Sequence, residues 1–261
     1  MGEIIVDTKR VFDLDHRWRF WAAWMGLAVF MGSPCWAAPL AQSGPLKTSL
    51  LEVYSSEGCS SCPPAEEWVS GLLQNPRLWK DFVPVVFHVD YWDYLGWRDA
   101  LSDGKFSDRQ RAEAGFSGSS VYTPGFFLDG REWRDWYGGD AIRRSKKEAG
   151  VLTVEQAGKD RYKIVFEPRG NGRSYTVQAA LLGFGLVSDV RSGENSGRRL
   201  THDFAVMDFL QAPMLRTGDG HFEKEVVLSA PGGLSPEKVG LSVWVSEEDG
   251  LEPLQAAGSF F

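Results

Sequence analysis

The spacing of apolar and polar residues changes near residue 150. Before it, short continuous apolar runs alternate with stretches patterned at helical spacing; after it, apolar and polar residues alternate one by one. "SLLEVYSS" is apolar and β-prone from Leu50 to Tyr54 and breaks at Ser55–Ser56–Glu57–Gly58, which predicts a strand. "AEEWVSGLLQNP" then sets Trp68, Val69, Leu72 and Leu73 on one helical face and stops at Asn75–Pro76. Val83 to Val89 is a continuous apolar run of the kind buried on both faces in a parallel sheet. A strand, a helix and a second such strand make a βαβ unit, and ligands collect at the carboxyl ends of its strands. A helix is predicted from about Ser107 to Gly115. Phe126 to Leu128, the turn Asp129–Gly130 and Arg131 to Trp133 predict a hairpin, and "DAIRRSKKEAG" a closing surface helix. From Val151 onward, "VLTVEQAGKDRYKIVFEP", "SYTVQAALLGFG", "HFEKEVVLS" and "VGLSVWVSEE" read as strands of an antiparallel sandwich-like unit or an extension of the first sheet. Residues 193 to 202 read as a long loop feeding a strand from Leu200 to Met207.

Composition narrows the function classes. The 261 residues carry a net charge of -7, which argues against a general nucleic-acid binder. Hydrophobic content of 43% and charged content of 24% are those of an ordinary globular chain. The N-terminus has a basic start at Arg17 and Arg19, an apolar run from Phe20 to Met31 and then small residues, which is the order of a secretory signal. Cleavage after Ala37 fits the small-residue positions better than cleavage after Ala38, which would use bulky Trp36. The organisation expected is therefore a signal peptide over 1–37, an α/β domain over 46–150 and a β-rich domain over 151–261. The setting expected is the periplasm or outside the cell, with no stable membrane span after cleavage and no cofactor.

Removal of the leader takes Cys35 away and leaves Cys59 and Cys62, in "SEGCSSCPPAEE", in an oxidising compartment. A bridge between residues so close removes little unfolded-state entropy, so it is a poor staple, while its tight geometry suits a bond made and broken repeatedly. Zinc would need two more ligands of similar kind, and there is no second cysteine pair. The pair falls on a strand-to-helix turn, where the helix N-terminus lowers a thiol's pKa. Cys59 is expected to be the exposed nucleophile and Cys62, one turn in, the resolving thiol. His88 stands at the end of the second strand, followed by Tyr91, Trp92, Asp93, Tyr94 and Trp97. The aromatics either receive a substrate peptide or cap the core; His88 either moves a proton, binds a metal beside the thiols or is hydrogen-bonded inside. Asn195, Arg199 and His202 either face the pair or serve a turn and a solvated strand face, the second being the expectation.

The order strand, C-x-x-C helix, strand, helix, Thr-Pro, hairpin resembles the thioredoxin fold. "LLEVYSSEGCSSCPPAEEWV", "FHVDYWDYLGWRDALSD", "FSDRQRAEA", "VYTPGFFLDG" and "SGENSGRRLTHDFAVMDF" resemble the secreted bacterial family catalogued as domain of unknown function 1223. The resemblance implies a thioredoxin-like fold carrying the β-rich C-terminal unit, and a cis Thr123–Pro124 bond packed against the cysteines. It places Tyr122, Thr123 and Pro124 in a substrate-binding loop, with Trp92 and His88 on the site wall. Glu52, on the strand before the pair, lies near where thioredoxins keep a buried carboxylate that assists the resolving cysteine. The leading expectation is a thiol–disulfide oxidoreductase acting on protein thiols or disulfides with a redox partner protein. The alternatives are a Cu(I)-handling protein using Cys59, Cys62 and His88, because soft thiolates favour that ion, and a non-catalytic binding module.

Overall fold

The structure is a computed structural model that describes residues 38–138, 142–170, 174–248 and 250–261. The expected signal peptide, 1–37, lies outside the described residues. After a short strand β1 (Ala41–Gln42) the chain enters β2 (Ser49–Ser55), α1 (Cys62–Gly71), β3 (Phe82–His88), α2 (Gly104–Ser117), β4 (Gly125–Leu128) and β5 (Arg131–Glu132). After a 3-10 turn at Asp135–Gly138, the described elements are strands: β6 (Gly150–Gly158), β7 (Arg161–Pro168), β8 (Tyr175–Phe184), β9 (Leu186–Asp189), β10 (Arg199–His202), β11 (Ala205–Pro213), β12 (Leu215–Arg216), β13 (Phe222–Val227), β14 (Lys238–Glu247) and β15 (Pro253–Phe260).

β2 and β3 pair in parallel through Ser49–Phe82 to Ser55–His88, as their unbroken apolar runs predict. β2 also pairs antiparallel with β4, and the β4–β5 turn uses Asp129 at φ 53° and Gly130 at φ 76°, the positive angles of a type I′ hairpin turn. α1 starts at Cys62 itself. Pro63 and Pro64 sit in its first turn, where backbone N–H groups have no helical partner to lose. α2 starts earlier than the apolar spacing predicts, because the Asp103 side chain caps it by accepting the Lys105 N–H.

The strands after residue 150 do not stand apart. β8, β11, β14 and β15 join β2, β3, β4 and β5 in one eight-stranded sheet of order β15-β14-β8-β11-β3-β2-β4-β5. The junction is parallel, at Ala205 opposite Val86. Residues 38–261 accordingly form one compact unit. Five more strands build an antiparallel sheet of order β1-β6-β7-β13-β12, and β9 and β10 pair as a separate two-stranded sheet. Alternation along β8 divides the core: Val177, Ala179 and Leu181 pack with Leu152, Ile164 and Phe166 of the five-stranded sheet, while Ala180, Leu182 and Phe184 join the core that holds Val53, Val86 and Phe204. The β-rich half is thus sandwich-like, and one of its two layers is the extended first sheet.

Two local expectations fail for physical reasons, and one strand has no counterpart in the sequence reading. Residues 142–149 are not helical; Lys47 N–H and Ala149 N–H bond across to Lys147 O and Pro45 O, and the stretch offers no apolar helical face beyond Ile142, which is buried. The strand expected from Leu200 to Met207 breaks at Asp203–Phe204, where Phe204 adopts φ 56°. β15 escaped the apolar pattern because its inward residues are small, as in Ala256, Ala257 and Gly258. A Cβ on Gly258 would stand 2.5 Å from the Trp79 ring, so a side chain is excluded there.

Candidate functional site

The turn between β2 and α1 carries the two thiols, and both are free. Cys59 N–H bonds Ser56 O at 3.1 Å and Cys62 N–H bonds Cys59 O at 3.2 Å, which curls the segment into the helix start. Cys59 Sγ lies 3.2 Å from Ser61 Oγ. On the other side stands the Thr123–Pro124 loop, whose peptide bond is cis as the resemblance implies. Trp92 Nε1 donates to Thr123 Oγ1 at 2.8 Å, and Gln110 Nε2 donates to Tyr122 O at 2.6 Å, so two side chains fix this loop. Gly58 is needed here: a Cβ would lie 2.8 Å from Trp92 Cβ.

The two thiols have opposite acidities. A hydrogen bond from Cys62 stabilises the Cys59 thiolate and outweighs burial, with help from Ser61 and Thr123, lowering the Cys59 pKa to about 6. Burial first, then the bond to Cys59 and the neighbouring negative charges, push Cys62 well above its ordinary value. The sequence predicts a lowered Cys59 through the helix end; in the structure the bond from the partner thiol is the leading cause among the contacting groups.

The expected exposure of Cys59 is not found: the side chain is 1% exposed. A strap from the C-terminal half covers the turn. Glu194 accepts from Ser60 N–H at 2.9 Å and Ser60 Oγ at 2.7 Å, and buried Asn195 Nδ2 donates to Glu57 O at 2.8 Å and Cys59 O at 2.9 Å. These contacts span more than 130 residues of sequence, which local patterning does not register.

Behind the pair lies a closed polar cluster. Glu66 follows Cys62 by one helical turn and shares its face. Its Oε1 accepts from Ser55 Oγ, and its Oε2 lies 2.5 Å from His202 Nδ1 and 3.9 Å from His88 Nε2. His88 Nδ1 is 2.6 Å from Asp99 Oδ2, and His202 Nε2 is 3.1 Å from Glu57 Oε1. The imidazole rings meet edge to face, 4.9 Å between centroids. Burial opposes charge on all of these groups. The carboxylates nevertheless raise both histidines, and the histidines hold Glu66 at about 2 and lower Asp99.

Cys59, Cys62, Thr123, Pro124 and Trp92 therefore come together. Tyr122 is near through its backbone, and its hydroxyl donates to Glu132. His88 is fully buried behind the pair rather than on an open site wall. Glu52 is not at the pair. It alternates with Ser55 along β2, points to the α2 side and bonds Arg109 Nε at 2.6 Å. Glu66 is the carboxylate on the Cys62 side. The Cu(I) set of Cys59, Cys62 and His88 does not form either: among the described residues, the group with donor atoms close enough to share one ion is Glu66, His88 and His202. Of the loop residues, Asn195 and His202 face the site against expectation, while Arg199 is exposed beside Asp189. Glu66, Glu57 and Asp99 were missed. A signal for Glu66 existed, since it falls at helical spacing on the buried stripe of Cys62, Ala65 and Val69.

The chain belongs to the family described as protein of unknown function (DUF1223), whose pattern matches residues 50–246. No curated protein matches it. Protein AGR_C_4864 from Agrobacterium tumefaciens, known from an X-ray crystal structure, shares the fold with TM-score 0.53 at 22% identity, over 84% of this chain and 95% of that one. HBP35 of Porphyromonas gingivalis shares it with TM-score 0.57 at 13% identity, over 83% of this chain and 76% of that one. No helix among the described residues is long and apolar enough to cross a membrane.

Proposed function

We propose that this member of the DUF1223 family is an extracytoplasmic thiol–disulfide oxidoreductase. The observation that carries the reading is two free thiols on the β2–α1 turn, with Cys62 N–H on Cys59 O and the cis Thr123–Pro124 loop beside them; a lowered Cys59 and a raised Cys62 suit attack followed by resolution. The strand order β3-β2-β4-β5, with a cis Thr123–Pro124 loop leading into β4, supports a thioredoxin-like reading of residues 46–150. Cys59 thiolate attacks one sulfur of a substrate disulfide; that S–S bond breaks and a mixed disulfide forms. Cys62 then attacks Cys59 Sγ, and its proton ends on the released substrate thiol. The substrate gains two electrons, the pair closes as a disulfide, and a redox partner protein with a dithiol reopens it. Protein disulfides are the substrate class, with the backbone at Thr123 as the docking edge.

The test is the equilibrium reduction potential of Cys59–Cys62 in glutathione buffers, read by mass after thiol trapping. A value near thioredoxin's, about -270 mV, supports a reductase, and one well above it an oxidase or isomerase. A bond that stays closed far below that value sinks the redox reading.

A further inference from the structure

We infer that Glu66, His88 and His202 form a binding site for one divalent transition-metal ion of the zinc class, separate from the cysteine pair. Their donor atoms, a Glu66 carboxylate oxygen, His88 Nε2 and His202 Nδ1, lie within 4.8 Å of one another. Two histidines and a carboxylate are a donor set that zinc takes in three-ligand sites. Zinc bonds of about 2.0–2.2 Å set in a tetrahedron require donors about 3–3.5 Å apart. The present separations from Glu66 Oε2, 2.5 Å to His202 and 3.9 Å to His88, lie on either side of that range. A rotation of the Glu66 carboxylate evens them, and the cation takes the place of the proton shared with His202.

The second observation is independent. His88 Nε2 is fully buried, has no hydrogen-bond partner and points at Glu66. A buried ring nitrogen left without a partner costs about 1–3 kcal/mol, and a metal bond satisfies it. The far nitrogen of each ring is held by a carboxylate: Asp99 on His88 Nδ1 and Glu57 on His202 Nε2. That pattern fixes a ring so that its other nitrogen faces a metal. The outer carboxylates are themselves anchored. Asp99 accepts the N–H groups of Glu57 and Leu101, each at 2.9 Å, and Glu57 accepts from Trp97 Nε1. A cavity of about 370 Å³ lined by Pro63, Glu67, Arg199 and Asp203 also borders Glu66 and His202, two of the three donor residues.

The test is titration of the purified mature chain with Zn²⁺ by calorimetry, with metal content after dialysis read by mass spectrometry, and with Co²⁺ as a spectroscopic probe. The expected result is one ion per chain, retained when Cys59 and Cys62 are both changed to Ser, and a four-coordinate Co²⁺ spectrum without a thiolate charge-transfer band. Glu66→Gln is expected to weaken Zn²⁺ binding at least 100-fold. Asp99→Asn, which reaches the site through the far nitrogen of His88 while also facing the Glu57 and Leu101 N–H groups, is expected to weaken it about 10–100-fold. No stoichiometric binding by the wild-type chain overturns the proposal. So does binding that Glu66→Gln and Asp99→Asn leave unchanged in folded protein, or binding lost with the cysteines. If Glu66→Gln fails to fold, the Co²⁺ spectrum of the wild type decides. Because the metal readout uses the Cys→Ser chain, its failure and that of the redox reading are separable.

Discussion

Alkylation of Cys59 separates two opposing effects that the structure places on one sulfur. At pH 7, a thiol with pKa about 6 is about 90% thiolate, whereas one at the ordinary value of 9.0 is about 1%. Ionisation alone raises the reactive fraction about 90-fold, but a Brønsted coefficient of about 0.4–0.5 over about three pKa units takes back about 15–30-fold in nucleophilicity, so the net gain with iodoacetamide should be about 3–6-fold. Burial works against this, because a side chain 1% exposed meets the reagent only when its cover opens. The pH midpoint reports the first effect and the plateau rate the second. For the reduced protein we expect a midpoint near 6 and a plateau slower than that of an open thiolate. Cys62→Ala removes the largest stabilising bond and should move the midpoint upward. Glu194→Ala releases the strap from Ser60 without touching either sulfur, so it should raise the plateau and leave the midpoint in place. Mass spectrometry of quenched samples assigns the adduct to Cys59 or Cys62. A wild-type midpoint at 8–9, or a Cys62→Ala variant with an unchanged midpoint, would refute the reasoning. The sign for stability follows: a lowered thiol pKa favours the folded dithiol form above its unfolded value, and that contribution is lost as pH falls through about 6.

Three further outcomes rest on buried polar groups. Asn195→Ala leaves the carbonyls of Glu57 and Cys59 without their donor and should cost about 1–3 kcal/mol in urea unfolding. Arg109→Met strands Glu52 and Glu113, both buried against the guanidinium, and should cost about 3–5 kcal/mol; adding Glu52→Gln should recover part of it. Burial, with Glu52 beside it, raises Glu113 to about 8, so its contribution to stability is full below the ordinary carboxyl value and lost as pH rises through about 8. Glu113→Gln should flatten that decline in thermal melts between pH 5 and 9, and an unchanged slope would contradict the assignment.

The nearer a feature lies to one segment, the more of it the sequence carries. The run Leu50–Tyr54, the run Val83–Val89 and the turn Asp129–Gly130 each announce themselves because burial on both faces, or a positive φ, restricts which residues fit. Arg143 to Lys147 misleads, since its helix-forming side chains lack an apolar stripe and the backbone pairs with residues 45–47 instead. The site divides along the same line. Cys59, Cys62 and the cis Thr123–Pro124 bond follow from motif and resemblance. Glu66 sits on a predicted helix, but its meaning appears only when His88 and His202 arrive from the ends of β3 and β10. The resemblance puts Glu52 near the pair; side-chain alternation along β2 sends it to Arg109 instead.

The C-terminal half is therefore part of the site rather than an appendage to it. Its strap covers Cys59 through Glu194 and Asn195, and its β10 supplies His202 to the cluster behind Cys62. Both depend on β11 pairing in parallel with β3, because that pairing sets the chain at Asp203–Phe204 beside the carboxyl end of β3, where His88 stands. Phe204 O accepts the Val86 N–H at 2.9 Å, and the turn at Phe204 swings β10 back toward α1. A β3 edge left open would expose Val83, Val85 and Phe87 together with unpaired backbone groups. The same strand pairing thus closes the sheet and brings the residues that shield the thiols. The cover over Cys59 and the closure of the eight-stranded sheet rest on the same short parallel contact.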